Sequence, residues 1–308
     1  MKKNIFEIIT IIITLFLLYL IIINKSLVLL SVNNSLNLWI KNLVPTLFPF
    51  FIISDILINY NIINYIPKFI KNKCISLFNI TENMLTIFLL SIVSGFPSNA
   101  RNAKTMYENK QITKEEANHI LIFSHFANPA FILTTVSILL NNKKIGLIIL
   151  LSQYLSNIIL GILFRNSFKK NNINIKKEYK EKKFSNILIN SIKKSINSIL
   201  LICGIITMFL LVVTLLINIL NLNNYNETII KGIFEITLGI ESLNLLNIPL
   251  IYKAVLTSIF ISFGGISVHM QVKAELIDTD IDYHYFFIGR IYQMLLSGII
   301  TYIIFILT

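Results

Sequence analysis

Long apolar runs separated by short polar stretches dominate the sequence. Ile5–Ile23 is almost unbroken, and the segments 145–164 and 199–220 are similarly apolar, the last without a charged residue. Each run is close to the ~20 residues that a helix needs to cross ~30 Å of hydrocarbon. The pattern therefore predicts membrane-spanning helices.

The same reasoning divides the whole chain into long and short apolar segments. Long helices are predicted near 5–23, 36–58, 114–140, 145–164, 186–220, 228–246 and 282–306. Shorter apolar segments, some too short to cross a bilayer, lie at 62–78, 83–94 and 251–263. The predicted fold class is an all-α polytopic integral membrane protein, with the lipid bilayer as its surroundings.

Composition supports this class and excludes a soluble domain. Of the 308 residues, 55% are hydrophobic and 14% are charged, and the mean hydropathy is +0.74. A soluble domain of this size needs a larger polar surface.

The net charge of +12 lies mainly between the predicted spans, most densely at 165–183. This placement indicates a cytoplasmic loop and not a nucleic-acid interface. Lys143 and Lys144 flank the same span at its other end, so the orientation of that span stays open.

Two of the short apolar segments stop at glycines and continue into more polar helical stretches. The segment 83–94 runs into Gly95, and 252–263 runs into Gly264, which stands 169 residues later. The surrounding blocks align without gaps at this offset. They predict two pseudo-repeats, each containing an interrupted or re-entrant half-helix hairpin, as in many transporters.

The predicted helix caps Thr113 and Asp282 keep the same offset, and each begins a long helix. The predicted domain organisation is an N-terminal transmembrane helix at 1–35, a first repeat at 36–164, a basic linker at 165–185 and a second repeat at 186–308.

An interruption inside hydrocarbon has a meaning that it lacks in a soluble loop. Unpaired backbone amides are costly there, so irregular backbone persists only inside protein or beside a water-filled cavity. Two half-helices that meet at mid-membrane would present free N–H groups, which suit an anionic or carbonyl-bearing solute. The alternative is a pair of ordinary turns at the membrane surface.

Polar residues cluster around both interruptions and around Asn128, which precedes a proline within the helix predicted from Thr113. The candidate solute-binding residues are Ser94, Gly95, Ser98, Asn99, Arg101, Asn128, Gly264, Gly265, Ser267, His269 and Gln271. Glu235 and Arg290 are further candidates for function if they lie at membrane depth, or paired interior charges otherwise.

The sequence lacks the residue patterns that are typical of an enzyme or a metal centre. The four histidines show no HExxH or HxH spacing, Cys74 and Cys203 stand far apart, and no nucleotide-binding motif occurs. We expect no catalytic residues, no bound metal and no cofactor.

Four segments together resemble a known family. They are 43–50 (LVPTLFPF), 94–101 (SGFPSNAR), 124–131 (SHFANPAF) and 262–271 (SFGGISVHMQ). These motifs are similar to those of the YlbJ-type sporulation integral membrane proteins, in the nucleoside-recognition gate group related to concentrative nucleoside transporters. The resemblance implies a multi-pass membrane protein that moves dipicolinate, a small anionic solute, from the mother cell across the outer forespore membrane.

The implied solute fits the residues around the interruptions. Dipicolinate is a planar aromatic dianion, for which two helix N-termini, Arg101 and His269 would supply hydrogen-bond donors. Phe48, Phe96 and Phe126 would supply flat apolar walls.

Two other functions stay open. A nucleoside carrier predicts neutral amide and carboxylate contacts to the solute, whereas an anion carrier predicts basic donors near the interruptions. A spore-envelope assembly protein predicts paired polar faces without a cavity, and glycines at 95 and 264 that accept bulky replacement. Assembly into a homo-oligomer is compatible with all three functions.

Overall fold

The computed structural model describes residues 5–168 and 183–308, and every regular element in these ranges is helical. Residues 169–182, which form most of the predicted basic linker, lie outside the described residues. The helices of the first part are α1 (Ile5–Ile23), α2 (Lys25–Leu38), α3 (Val44–Asn59), α4 (Lys68–Phe78), α5 (Glu82–Ser94), α6 (Ser98–Glu108), α7 (Lys114–Phe123), α8 (Ser137–Leu139) and α9 (Lys143–Leu163). The helices of the second part are α10 (Phe184–Leu220), α11 (Asn224–Phe234), α12 (Ile236–Leu245), α13 (Leu250–Phe263), α14 (Gly265–Leu276) and α15 (Tyr283–Leu307).

Six helical runs among the described residues are long and apolar enough to cross a membrane. They are Ile5–Ile23, Lys25–Asn59, Lys143–Leu163, Phe184–Leu220, Leu250–Leu276 and Tyr283–Leu307. The pair α4 and α5, bent by 96°, is a seventh if it counts as one span. Most large apolar side chains of α1 are exposed, as expected where lipid replaces water as the solvent. The chain is therefore an all-α polytopic integral membrane protein, as the apolar pattern predicted.

Three helices differ from the predicted ones. The helix predicted at 36–58 begins earlier, at Lys25, and continues to Asn59 through a π-helical turn at Trp39–Leu43. The helix predicted at 114–140 stops at Phe123, and the chain is irregular up to Pro129 before helical structure resumes. The helix predicted at 228–246 is broken at Glu235.

The boundaries of the helices keep the offset of the two predicted repeats. The helix α5 ends at Ser94 and α13 at Phe263, while α7 begins at Lys114 and α15 at Tyr283, so both pairs are separated by 169 residues. Counterpart helices also touch, because α6 packs on α14 and α7 packs on α15. Such pairing is expected where two repeats meet around a pseudo-twofold axis.

Both predicted helix caps are formed. The Thr113 hydroxyl accepts a hydrogen bond from the Glu116 backbone N–H, and the Glu116 side chain accepts one from the Thr113 N–H. Asp282 accepts a hydrogen bond from the His284 backbone N–H at 2.9 Å. The beginnings of α7 and α15 are thus set by local sequence.

The two glycine interruptions have different shapes. Around Gly95 the chain forms a hairpin, because the Asn83 amide at the start of α5 donates to the Gln111 carbonyl beyond the end of α6 at 2.6 Å. The interruption at Gly264 instead lies within one candidate span, Leu250–Leu276. The hairpin expected in the second repeat is therefore a break within a span, where only Gly264 separates the two helices.

Candidate functional site

Four interruptions of the described helices come together in the interior. A Cβ placed on Gly95 would lie 2.6 Å from the Asn128 backbone nitrogen, so the first hairpin turn touches the irregular segment 124–128. A Cβ on Gly264 would lie 3.5 Å from His125 Nε2. The same irregular segment therefore contacts both glycine interruptions.

The fourth interruption, at Glu235, adjoins the second glycine interruption, at Gly264 and Gly265. A Cβ on Gly265 would lie 3.2 Å from the Phe234 carbonyl oxygen and 3.5 Å from the Glu235 Cα. Helices from both repeats thus end or begin around one small region. The two glycine breaks thus both contact the segment 124–128, and the break at Glu235 adjoins the second of them.

Asn128 holds this region together. Its side-chain amide donates to the carbonyls of Thr46 at 3.3 Å, Val93 at 3.3 Å and Ser94 at 3.4 Å. Its side-chain oxygen accepts a hydrogen bond from the Ala130 N–H at 2.8 Å. These bonds satisfy backbone groups that a regular helix would have paired internally.

Side chains of α9 and α15 satisfy carbonyls that the break after α7 leaves free. The Arg290 guanidinium donates to the Ile122 carbonyl at 2.9 Å. The His125 carbonyl accepts from the Asn157 amide at 2.6 Å and from the Gln293 amide at 3.4 Å. The irregular segment is thereby compatible with membrane depth.

A small cavity of about 40 Å³ lies among the interruptions. Its lining residues come from both predicted repeats, including residues of α2, α3 and α10: Leu38, Leu43, Thr46, Leu47, Phe96, Asn128, Phe131, Ile202, Ile206, Glu235, Ile236, Thr237, Val268 and Gln271. The volume suffices for a few water molecules at most, at roughly 10–15 Å³ each. The cavity is too small for an aromatic solute in this conformation.

A larger and more open cavity of about 420 Å³ adjoins the small one. Its lining residues are Asn34, Asn37, Leu38, Lys41, Asn42, Leu210, Glu235, Thr237, Leu238 and Glu241. This volume is within the range of about 300–1,000 Å³ that small-molecule sites occupy. Leu38, Glu235 and Thr237 line both cavities, so these three side chains lie between them.

Glu235 is the charged side chain of this boundary. Its carboxylate accepts hydrogen bonds from the backbone N–H groups of Thr237 at 2.7 Å and Leu238 at 3.1 Å. The carboxylate therefore caps α12, where the positive end of the helix dipole stabilises a negative charge. Glu235 is only 4% exposed and forms no ion pair among the described residues.

Glu235 was a candidate for function in the sequence, but its capping role and its position between two cavities were not predicted. The available signal was an acidic residue inside an otherwise apolar stretch. Thr46, which also lines the small cavity, lies in the motif 43–50, whereas Thr237 carried no signal that separates it from other threonines in the chain.

Of the predicted solute-binding residues, Asn128 and Gln271 line the small cavity. The Ser94 and Ser98 hydroxyls bond to each other at 2.6 Å, and Ser98 also donates to the Gly95 carbonyl, so these serines stabilise the hairpin turn. Asn99 is buried on α6, and neither atom of its side-chain amide has a hydrogen-bond partner among the described residues. Ser267 on α14 is likewise buried and unpaired there.

Arg101 is not among the residues that line the small cavity. Its guanidinium donates to the Ser195 hydroxyl at 3.1 Å and lies 4.7 Å from the centre of the Phe51 ring. Asp55, one helical turn after Phe51 on α3, accepts a hydrogen bond from the Ser191 hydroxyl on α10 at 2.8 Å. Arg101 thus belongs to a polar contact between α6, α3 and α10.

His269 also lies outside the lining of the small cavity. Its Nδ1 shares a hydrogen bond of 2.7 Å with the Tyr283 hydroxyl, and its ring packs against Phe263 and Phe286. The two basic donors proposed for the solute, Arg101 and His269, are therefore not brought together at the cavity.

The three predicted aromatic walls have separate locations. Phe96 lines the small cavity, while Phe126 packs with Phe88 and Tyr154, and Phe48 packs with the core around α3 and α10. Among the described residues, no group of three or more His, Cys, Asp or Glu side chains could hold a metal ion.

These features define a class: a polytopic helical membrane protein whose interrupted helices surround a small cavity. The chain is 24% identical over 299 residues to the Sporulation integral membrane protein YlbJ of Bacillus subtilis (strain 168), covering 85% of this chain and 73% of that protein. This similarity confirms the assignment to the YlbJ-type family that the four motifs indicated. No family model matches the sequence, and no solved structure matches the chain.

Proposed function

We propose that this protein is a solute carrier whose substrate passes through the region where the four helix interruptions meet. The observation that carries the proposal is the small cavity among these interruptions, lined by residues of both predicted repeats. Irregular backbone at membrane depth is stable only when buried in protein or beside water, and carriers use such backbone to bind solutes.

The two adjoining cavities suggest how access would change. The small cavity would be the closed binding region, and the larger cavity would be its entrance. Leu38 on α2 and Glu235 and Thr237 at the start of α12 lie between them. Movement of α12 relative to α2 would join the two volumes and admit a solute of drug-like size.

We propose dipicolinate as the solute and spore formation as the setting, with the outer forespore membrane as the location. The relative from Bacillus subtilis is named a sporulation protein, and the family resemblance implies this solute. The start of α12 already binds one carboxylate, that of Glu235, through two backbone N–H groups. A carboxylate of the solute could take the place of Glu235 when the entrance opens.

A nucleoside-like solute is the second candidate, and the lining of the small cavity favours it. The polar lining consists of the Asn128 and Gln271 amides, the Thr46 and Thr237 hydroxyls and the Glu235 carboxylate. The described lining residues include no Lys or Arg. This is the set of neutral and acidic groups expected for a nucleoside, whereas the larger cavity has a basic lining residue, Lys41.

Uptake into proteoliposomes distinguishes these candidates. Purified protein is reconstituted, and the entry of radiolabelled dipicolinate, uridine and adenosine is measured against protein-free liposomes. We expect saturable entry of dipicolinate. Entry of nucleosides alone would assign the second candidate, and the absence of protein-dependent entry of any of the three would contradict a carrier function and favour an assembly role.

A matched pair of variants locates the path. Thr237→Val removes a hydroxyl from the boundary between the cavities and should lower the transport rate several-fold. Thr257→Val removes a buried hydroxyl of α13 that has no hydrogen-bond partner among the described residues and lines neither cavity, so transport should persist. Equal rates for the two variants would place the path elsewhere.

A further inference from the structure

Arg290 is a fully buried cation with few partners. It is 0% exposed and lies seven residues into α15, roughly 10 Å along the helix axis at 1.5 Å per residue. Of its three guanidinium nitrogens, Nη2 donates to the Ile122 carbonyl, whereas Nε and Nη1 have no hydrogen-bond partner among the described residues. A guanidinium carries five N–H donors, so most of its donors are unused.

No carboxylate neutralises this charge within the part of the chain that the structure describes. The ion pairs found there involve Lys71, Lys104 and Lys231, and none involves Arg290. The contact with the Phe286 ring, 5.1 Å from the guanidinium carbon to the ring centre, offsets only part of the desolvation cost. An uncompensated buried charge is among the most costly features that a protein interior can contain.

Two imidazoles with unused nitrogens share the surroundings of Arg290. The ring centres of His125 and His269 lie 5.1 Å and 5.4 Å from that of Phe286, the ring that Arg290 also contacts. Both nitrogens of His125 and Nε2 of His269 have no hydrogen-bond partner among the described residues. Guanidinium and imidazole groups with free nitrogens thus surround one aromatic ring.

Packing holds Arg290 in this place. Gly289, its neighbour on α15, lies so close to the Ile122 carbonyl that a Cβ there would overlap it. This close approach brings Arg290 beside the end of α7. His125 also connects this group to the small cavity. Its ring stacks on that of Phe96, with 4.9 Å between ring centres, and Phe96 lines the small cavity. One phenyl ring therefore separates the surroundings of Arg290 from the cavity.

We infer that Arg290, with His125 and His269, forms a buried site for one small anion. The ligand chemistry is a compact negative group that accepts several hydrogen bonds, either a halide or the carboxylate of a solute. Water alone could accept hydrogen bonds from the unused N–H groups, but it would leave the positive charge of Arg290 without a counter-charge. The inference does not depend on which solute the protein carries.

The test measures anion binding by the full-length protein in detergent. Chloride is replaced by gluconate, and the unfolding midpoint is followed by fluorescence of Trp39, the single tryptophan. Chloride and dipicolinate are then titrated separately. We expect a saturable rise of the midpoint with at least one of them. Chloride alone would identify an inorganic ligand, and dipicolinate alone would identify the carboxylate of a solute.

Two arginine variants connect the effect to the site. Arg290→Met should weaken anion binding by about tenfold or more, because hydrogen bonds to charged groups contribute about 1.5–3 kcal/mol each. Arg165→Met is the matched control, since Arg165 also donates to one backbone carbonyl, that of Ser76, but is only partly buried and has no contact with Phe286. Its anion dependence should equal that of the unaltered protein.

The stability of Arg290→Met in gluconate separates an anion site from a hydrated structural arginine. Without its anion, Arg290 is an uncompensated charge, so Arg290→Met should be at least as stable as the unaltered protein. If Arg290→Met does not fold, Arg290→Lys keeps the charge and should bind the anion more weakly. Absence of saturable stabilisation by either anion, or unchanged anion binding in Arg290→Met or Arg290→Lys, would overturn the inference.

Discussion

Replacement of Gly95 by alanine tests whether the first hairpin turn and the irregular segment after α7 are packed as described. Gly95 has φ +76° and ψ −175°, a backbone conformation that side-chain-bearing residues hardly adopt, at a cost of about 1–3 kcal/mol. The added Cβ would also lie 2.6 Å from the Asn128 nitrogen and 2.8 Å from its Cα. Overpacking of this kind costs a further ~1–3 kcal/mol.

Two other glycines complete a graded series. Gly264 has φ +95°, but the nearest atoms to an added Cβ are at 3.4 Å, so alanine there should cost only the conformational ~1–3 kcal/mol. Gly204 lies within α10 with nothing near an added Cβ, and alanine there should stabilise the helix by up to ~1 kcal/mol. The expected order of stability is Gly204→Ala, then Gly264→Ala, then Gly95→Ala.

The assay is reversible unfolding in mixed micelles, followed by Trp39 fluorescence, which reports on α2 and α10 because the indole donates to the Ile199 carbonyl at 2.9 Å. Transport is measured on the same preparations to separate loss of fold from loss of activity. A Gly95→Ala protein as stable as Gly204→Ala would refute the close approach of the hairpin turn to Asn128. An equal loss at Gly95 and Gly264 would show that backbone conformation alone sets the cost.

Further predictions concern side chains that satisfy free backbone groups. Glu235→Ala should lower stability by about 0.5–2 kcal/mol through loss of the cap, and Glu235→Gln should lower it less because the amide oxygen can still accept; equal midpoints would exclude the capping role. Asn128→Ala should lower stability by about 1–3 kcal/mol, because buried carbonyls lose their hydrogen-bond donor. Asn128→Asp should not restore stability, since a carboxylate supplies no amide N–H. Thermal unfolding compares the two variants, and full recovery in Asn128→Asp would contradict the described hydrogen bonds. Thr113→Ala and Asp282→Ala should each lower the free energy of unfolding by about 0.5–2 kcal/mol in the same assay, as expected of corresponding helix caps. A large effect at only one position would mean that the two helix starts are not equivalent.

The apolar pattern alone predicted the fold class, because hydrocarbon imposes the same simple requirement on every span. A spanning helix must be apolar over about 20 residues and must pair its own backbone groups. The caps at Thr113 and Asp282 and the interruptions at Gly95 and Gly264 were equally local features. The 169-residue offset between the repeats could be found in the sequence for this reason.

The length of the interruption after Phe123 was decided by tertiary contacts. This segment leaves backbone groups free, and side chains distant in sequence satisfy them, such as Asn157 and Arg290 at the end of α7. Local propensity contains no information on these partners, so the sequence predicted unbroken or briefly kinked helices there.

The placement of the candidate site residues shows the same division. The sequence by itself determined a helical membrane protein with glycine interruptions and capped helices, since apolar length, glycine and capping residues act locally. Only the tertiary structure decided that Asn128 and Gln271 line the cavity while Arg101 and His269 do not. Local sequence sets where a helix starts and therefore where each residue lies along it. The contacts of a side chain depend on the helices packed beside it, which are distant in sequence.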